Sequence, residues 1–219
     1  MQDLLYINDE NDNTCLESFL HIAETLMNRH LLKVRDHYYR IVDCEFYYNS
    51  RIHNDPYALT HEQSGNCGEW NFHGSGMDIT LTSQHASGGI MIQGIASVAN
   101  GHEVPSKDSA TSGPLKVCSE IFQHVGSVWA DTPLHFGLVP VEQSIGRGVI
   151  EATIFSVPRI GLNITKDNHG NFSKRPYRFL TFLHLPHKEG EKIRKYLTLE
   201  AEEAISPVAY QAYNTGRKW

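Results

Sequence analysis

The stretch that decides the fold is His30-Leu31-Leu32-Lys33-Val34-Arg35-Asp36-His37-Tyr38-Tyr39-Arg40-Ile41-Val42-Asp43-Cys44-Glu45-Phe46-Tyr47-Tyr48. It is rich in β-branched and aromatic residues and is interrupted only by the polar pair Arg35-Asp36, so it reads as two antiparallel strands around a short turn. Upstream, Leu16, Phe19, Leu20, Ala23, Leu26 and Met27 recur at helical spacing behind Thr14 and Glu17, a T-x-x-E capping box, and predict a helix over 15–29. Downstream, 49–69 is polar, with Asn-Asp-Pro and Ser-Gly, and reads as a long loop. Trp70–His73 and Met77–Leu81 flank Gly74-Ser75-Gly76 as a tight hairpin. Gly88-Gly89 introduces a buried strand over Ile90–Ile95, and 100–112 reads as a loop. Gly113-Pro114 opens a second helix with Val117, Cys118 and Ile121 on its apolar side. Residues 126–146 read as irregular, 148–157 and 177–183 as strands, and 189–196 as the start of a helical C-terminal piece. The expectation is one mixed α/β domain over 1–219, without internal repeats.

The chain has 219 residues, 40% hydrophobic and 20% charged, which is enough to bury a core without disulfides or a structural metal. The formal net charge of −6 argues against a simple basic protein that coats nucleic acid. The charge is uneven: 1–110 hold 6 basic and 15 acidic side chains, whereas 159–195 carry 9 basic residues against 3 acidic ones. Such a stretch reads either as a phosphate-facing edge or as a solvated surface. Four scattered cysteines (Cys15, Cys44, Cys67, Cys118) with no CxxC pair predict free, mostly buried thiols in a reducing compartment. The thirteen histidines form no metal-ligand spacing, so no metal site is expected. With acidic residues in its first ten positions and no apolar run of about 18 residues, the chain is expected to be intracellular and not to span a membrane.

Several motifs, in order, carry a resemblance. They are Arg40-Ile41-Val42-Asp43-Cys44-Glu45-Phe46-Tyr47, then Asp55-Pro56-Tyr57-Ala58-Leu59-Thr60-His61, then the hairpin Trp70–Thr82. Ile90-Met91-Ile92-Gln93-Gly94-Ile95 and Ser112-Gly113-Pro114-Leu115-Lys116-Val117-Cys118 follow. Pro158-Arg159-Ile160-Gly161-Leu162 and Lys174-Arg175-Pro176-Tyr177-Arg178-Phe179 complete the series. Together, over about 20–180, they resemble the alkyladenine (3-methyladenine) DNA glycosylase family. The resemblance implies a mixed α/β fold around a curved antiparallel sheet flanked by helices. It implies excision of a modified or damaged base in DNA repair by hydrolysis of the N-glycosidic bond, without metal or other cofactor.

Carried over residue by residue, it puts Glu45 where the family keeps its general base, which takes a proton from the attacking water. Tyr47 and His61 fall where the flipped base is stacked, with Tyr48 as the alternative if the register is one residue off. Trp70 and Phe72 fall at aromatic hairpin positions that close the other side of the base sandwich. Asp78 stands where the family has an Asn that screens the base. Gln93 replaces an Arg, and His73 lies nearby. Arg159, Lys174, Arg175 and Arg178 are the expected phosphate contacts. The hairpin tip lacks the family's aromatic wedge, which favours single-stranded or mismatched nucleic acid over perfect duplex. A hydrolase of small nucleosides or nucleotides and a non-catalytic modified-base-binding module stay open as alternatives.

Overall fold

The computed structural model describes residues 3–58, 66–83, 85–98, 104–126, 134–144, 149–167 and 171–203. The decisive stretch folds as expected into β1 (His30–Val34) and β2 (His37–Ser50), with Arg35 at a φ of 52° in the turn between them. Helix α1 (Asp12–Glu24) starts earlier than predicted. Its capping box is Asn11 with Thr14, not Thr14 with Glu17, because the Asn11 Oδ1 accepts from the backbone N–H groups of both Asn13 and Thr14. A π-helical turn, Thr25–Arg29, leads from α1 into β1.

The hairpin is β3 (Trp70–His73) and β4 (Gly76–Thr80), and β5 (Ala86–Ser97) is longer than the predicted Ile90–Ile95. A short β6 (Ala110–Ser112) lies in the segment read as loop, followed by the expected α2 (Pro114–Val125). Part of 126–146, read as irregular, instead forms β7 (Phe136–Pro140) and α3 (Val141–Ser144). The two later strands are short, β8 (Phe155–Val157) and β9 (Arg178–Leu180), and α4 (Gly190–Glu203) closes the described chain.

All the described strands belong to one antiparallel sheet whose main path runs β3-β4-β5-β2-β1-β7. The long ribbon β2–β5 is its spine, paired from Tyr39↔Ser97 to Ser50↔Ala86 with register shifts on both sides of Asp43. Those shifts are a bulge, which bends a strand and changes which face its side chains take. Each spine strand has two partners along its outer edge. β2 pairs with β1 before the bulge and with β9 after it, while β5 pairs with β4 and then β6. The sheet curves into a half-barrel whose ends meet through rings, Trp70 and Phe72 of β3 lying 4.9 and 5.7 Å from Phe136 of β7.

One face carries the main core. Phe19 of α1 packs on Phe46 at 4.8 Å and edge-on to Tyr177 at 5.1 Å. Val117, Cys118 and Ile121 of α2 join the same cluster as Ile41, Ile92 and Ile95. On the other face Ile193 of α4 packs with Val157 and Leu180. Among the described residues the four cysteines are free thiols, with Cys15, Cys44 and Cys118 buried and Cys67 half-buried. No helix among the described residues is long and apolar enough to cross a membrane.

Candidate functional site

Directly paired residues of antiparallel strands project to the same face. The registers Val157↔Arg178, Arg178↔Glu45, Glu45↔Met91, Met91↔Asp78 and Asp78↔Asn71 therefore set one row of side chains across six strands. This row crosses the face opposite the main core. In it, three buried charges, Arg178, Glu45 and Asp78, stand 1%, 3% and 4% exposed.

Glu45 sits on the spine just past the bulge. The Tyr47 hydroxyl donates to its Oε2 at 2.6 Å, and an Arg178 guanidinium nitrogen lies 3.6 Å from its Oε1. Burial pushes its carboxyl above the usual range, and Arg178 and Tyr47 offset that only in part. Arg178 is committed elsewhere: it donates twice to the Asp43 carboxylate, at 2.9 and 2.7 Å, and once to the Lys188 carbonyl at 2.8 Å. His187 adds a contact to Asp43 at 3.1 Å. Burial opposes ionisation of Asp43, but Arg178 and His187 outweigh it and hold that carboxyl below its ordinary value. Two neighbouring carboxyls are thus driven apart, Asp43 held below its ordinary value and Glu45 pushed above it.

Tyr47 is half-buried, with the Arg159 guanidinium 4.6 Å from its ring centre. Arg159 is 3% exposed and grips Asp55 at 2.6 and 3.2 Å, together with the Phe46 and Phe172 carbonyls. Next along the row of Tyr47 is Gly89, where an added Cβ would lie 3.1 Å from the Asp78 Cβ and 3.2 Å from its Oδ2. The glycine leaves the space between Tyr47 and Asp78 clear of side-chain atoms of its own. Gly88 is fixed for another reason, since a Cβ there would come within 2.1 Å of the Tyr47 carbonyl oxygen.

Asp78 has one oxygen near His73, Nε2 to Oδ2 being 3.1 Å. Its Oδ1 has no partner among the described residues, and neither does the Oε1 of Gln93. Gln93 is 4% exposed and touches the Met91 sulfur through its amide nitrogen at 3.3 Å, which puts it over the same face. Burial pushes the Asp78 carboxyl up, partly offset by His73. Buried polar atoms without partners carry a real cost, so these two oxygens are available to accept from a water or a ligand over this face.

Glu45, Tyr47, Asp78 and Gln93 are brought together; several other sequence-predicted site residues are not. His61 lies outside the described residues. Trp70 and Phe72 pair with Ile79 and Met77, so they project from the opposite face to Asp78 and Glu45. They pack on Phe136 and Phe122 instead, and the expected aromatic closure of a base sandwich by these two rings is corrected. Tyr48 belongs to the main core, whereas Tyr47 projects to the face of Glu45. The expected phosphate contacts at Arg159 and Arg178 are corrected as well: buried Asp55 and Asp43 hold both guanidiniums inside the protein. Arg175 pairs with Asp12 at 2.7 Å, and Lys174 is exposed.

Sequence reasoning missed Asp43, Asp55 and His187 as partners of the site. Asp55 had a signal, an Asp before Pro in a long loop, and Asp43 stands two residues before Glu45 in the same strand, but its partners Arg178 and His187 come from distant sequence. Among the described residues no group of three or more His, Cys, Asp or Glu is arranged to hold a metal ion. No family model matches the chain, and no curated protein matches it at a significant level.

Proposed function

We propose that the chain is a base-excising N-glycosylase-like hydrolase acting on a modified or damaged base in nucleic acid, on the fold that the family resemblance implies. The observation that carries the reading is Glu45, a buried carboxyl that burial pushes above its ordinary value and whose Oε2 accepts from the Tyr47 hydroxyl. It shares a sheet face with the unpartnered oxygens of Asp78 and Gln93. Hydrolysis of an N-glycosidic bond needs such a group to take a proton from water as the sugar becomes cation-like. In this reading the base stacks on the face of Tyr47 turned away from Arg159, whose guanidinium lies 4.6 Å from the ring centre.

A second reading, a hydrolase of free nucleosides or nucleotides, is favoured by one observation. Two of the four expected phosphate contacts, Arg159 and Arg178, are internal. The test is incubation with single-stranded oligonucleotides carrying a panel of modified bases, scored for abasic sites, beside the matching free nucleosides. Base release that disappears in Glu45→Gln supports the proposal, and the better of the two substrate forms selects between the readings. Release that survives Glu45→Gln refutes the assignment.

A further inference from the structure

With phosphate contact excluded, Arg159 is a buried cation beside the site without an assigned task. Its side chain has no exposed surface, and neither has that of Asp55, its partner 104 residues away in the chain. The two terminal nitrogens hold the Asp55 carboxylate in a two-pronged pair and add the Phe46 and Phe172 carbonyls, at distances of 2.6–3.2 Å. Tyrosine rings surround the guanidinium, Tyr47 at 4.6 Å, Tyr177 at 5.3 Å and Tyr57 at 5.4 Å. Asp55 is itself fixed, its Oδ1 accepting from the Tyr57 N–H at 3.0 Å. The pair therefore ties the segment after β2, the strand β2 and the segment before β9 to the ring of Tyr47. Packing alone does not call for a charge here. Apolar side chains of the same volume often hold a core as well or better, because burying two charges costs desolvation. What the pair adds is direction at Tyr47, whose hydroxyl reaches Glu45 at 2.6 Å.

Building on the glycosylase reading, we infer that Arg159, clamped by Asp55, is a positioning residue: it holds the Tyr47 ring in the orientation that keeps the hydroxyl on Glu45. A guanidinium over an aromatic ring is attracted to it, and one fixed by several acceptors does not follow the ring if it turns. Rotation of Tyr47 thus loses the contact with Arg159 and the 2.6 Å bond together. The charged and titratable groups that act on Glu45 are Arg178 of β9, Tyr47 and Asp43 of its own strand, and Arg159. On the other side β5 places Met91 beside it, and β4 places Asp78 one strand further. Burial, with a smaller push from Asp43, raises the Glu45 carboxyl; Arg178, the Tyr47 bond and, least of all, Arg159 lower it. Releasing Tyr47 removes the hydroxyl bond, so Glu45 keeps its proton to higher pH and serves as a base over a narrower range.

The experiment removes both buried charges at once, in Asp55→Asn/Arg159→Met, so that neither is left alone in the interior. Folding is checked by cooperative thermal unfolding. Arg159→Lys, which keeps the charge and loses the planar fork, serves as a second variant. Two readouts are followed. One is the carboxyl-carbon NMR titration of Glu45, assigned with Glu45→Gln. The other is the pH profile of kcat and KM for whichever modified base of the single-stranded oligonucleotide panel the wild type releases fastest. The expected result is that the folded variants titrate Glu45 at higher pH and that the acid limb of the kcat profile moves with it. At neutral pH kcat falls about 100-fold. In a Tyr47→Phe background the double substitution leaves only the small direct effect of the lost charge. A folded variant with wild-type titration and profile, or an equal shift with and without the Tyr47 hydroxyl, overturns the inference and leaves the glycosylase reading standing. Wild type that releases no base overturns the glycosylase reading, and the carbon titration then decides alone whether Arg159 acts on Glu45 through Tyr47.

Discussion

Asp43→Asn measures how far the buried ion network holds the sheet. Arg178 is 1% exposed and directs two bonds, 2.9 and 2.7 Å long, at the Asp43 carboxylate. An amide of the same shape loses the charge and offers one of those donors another donor. Removing one partner of a buried pair costs about 3–5 kcal/mol. The Lys188 carbonyl at 2.8 Å and Glu45 at 3.6 Å remain to hold the guanidinium, so the lower end, about 3 kcal/mol, applies. For a chain of this size that lowers Tm by roughly 6–12 °C. The pH dependence has a definite sign. Asp43 is more acidic in the folded protein than its ordinary value of 3.8, so its contribution is complete above that value and is lost as pH falls through the folded one. The gap between wild type and variant therefore persists through neutral pH and closes only in acid, below 3.8. Thermal and urea unfolding at neutral pH and in strong acid measure it. A loss under about 1 kcal/mol at neutral pH, or a gap that widens as the solution is acidified, would refute the reasoning.

Glu45→Gln is expected to raise stability at neutral pH while abolishing base release. The folded protein holds this carboxyl above its ordinary value, so ionisation opposes folding as pH rises and the gain vanishes in acid; equal unfolding midpoints across pH would count against this. Gly88→Ala places a Cβ within 2.1 Å of the Tyr47 carbonyl and is expected to cost about 3 kcal/mol, whereas Gly74→Ala meets nothing within 4 Å and is expected to stay within about 0.5 kcal/mol of wild type in urea titrations. The same bare hairpin tip offers no wedge for the hole left by a flipped base, and opening a paired site costs a few kcal/mol. Release of one modified base should therefore be faster from single strands than from matched duplex, and the opposite order in a kinetic comparison defeats the argument.

The spine of the fold was legible in 30–48 because β-branched and aromatic residues flank a polar turn, and the hairpin was legible in its glycines. The bulge was not. Nothing in Val42-Asp43-Cys44 announces that the register shifts there, beside the place where Arg178 reaches both Asp43 and Glu45. Simple alternation puts Arg40 and Val42 on the face opposite Asp43 and Glu45. In the fold Val42 and Asp43 both meet the position a Gly94 Cβ would take. The basic stretch 159–195 misled for a related reason. Charge counted along a chain does not reveal that two of its arginines answer buried aspartates contributed by distant segments. The pair Trp70 and Phe72 was correctly read as strand, but which face an edge strand offers depends on the partner that closes the curve. That partner, β7, lay in residues read as irregular.

The order in which the spine acquires its neighbours bears on how the chain assembles. β2 and β5 can meet as soon as the first hundred residues exist, but β9 comes from far later in the sequence. Until it docks, a nascent ribbon carries Asp43 and Glu45 with neither Arg178 nor His187 beside them. Bringing those carboxylates out of water unaccompanied is unfavourable, so the half-built sheet works against its own persistence. The late segment is the counterion that lets the early one close. Charge thereby couples the two ends of the chain into one all-or-none event, and a ribosome-bound fragment lacking β9 is expected to stay open and accessible to protease, not to rest as a partly formed barrel.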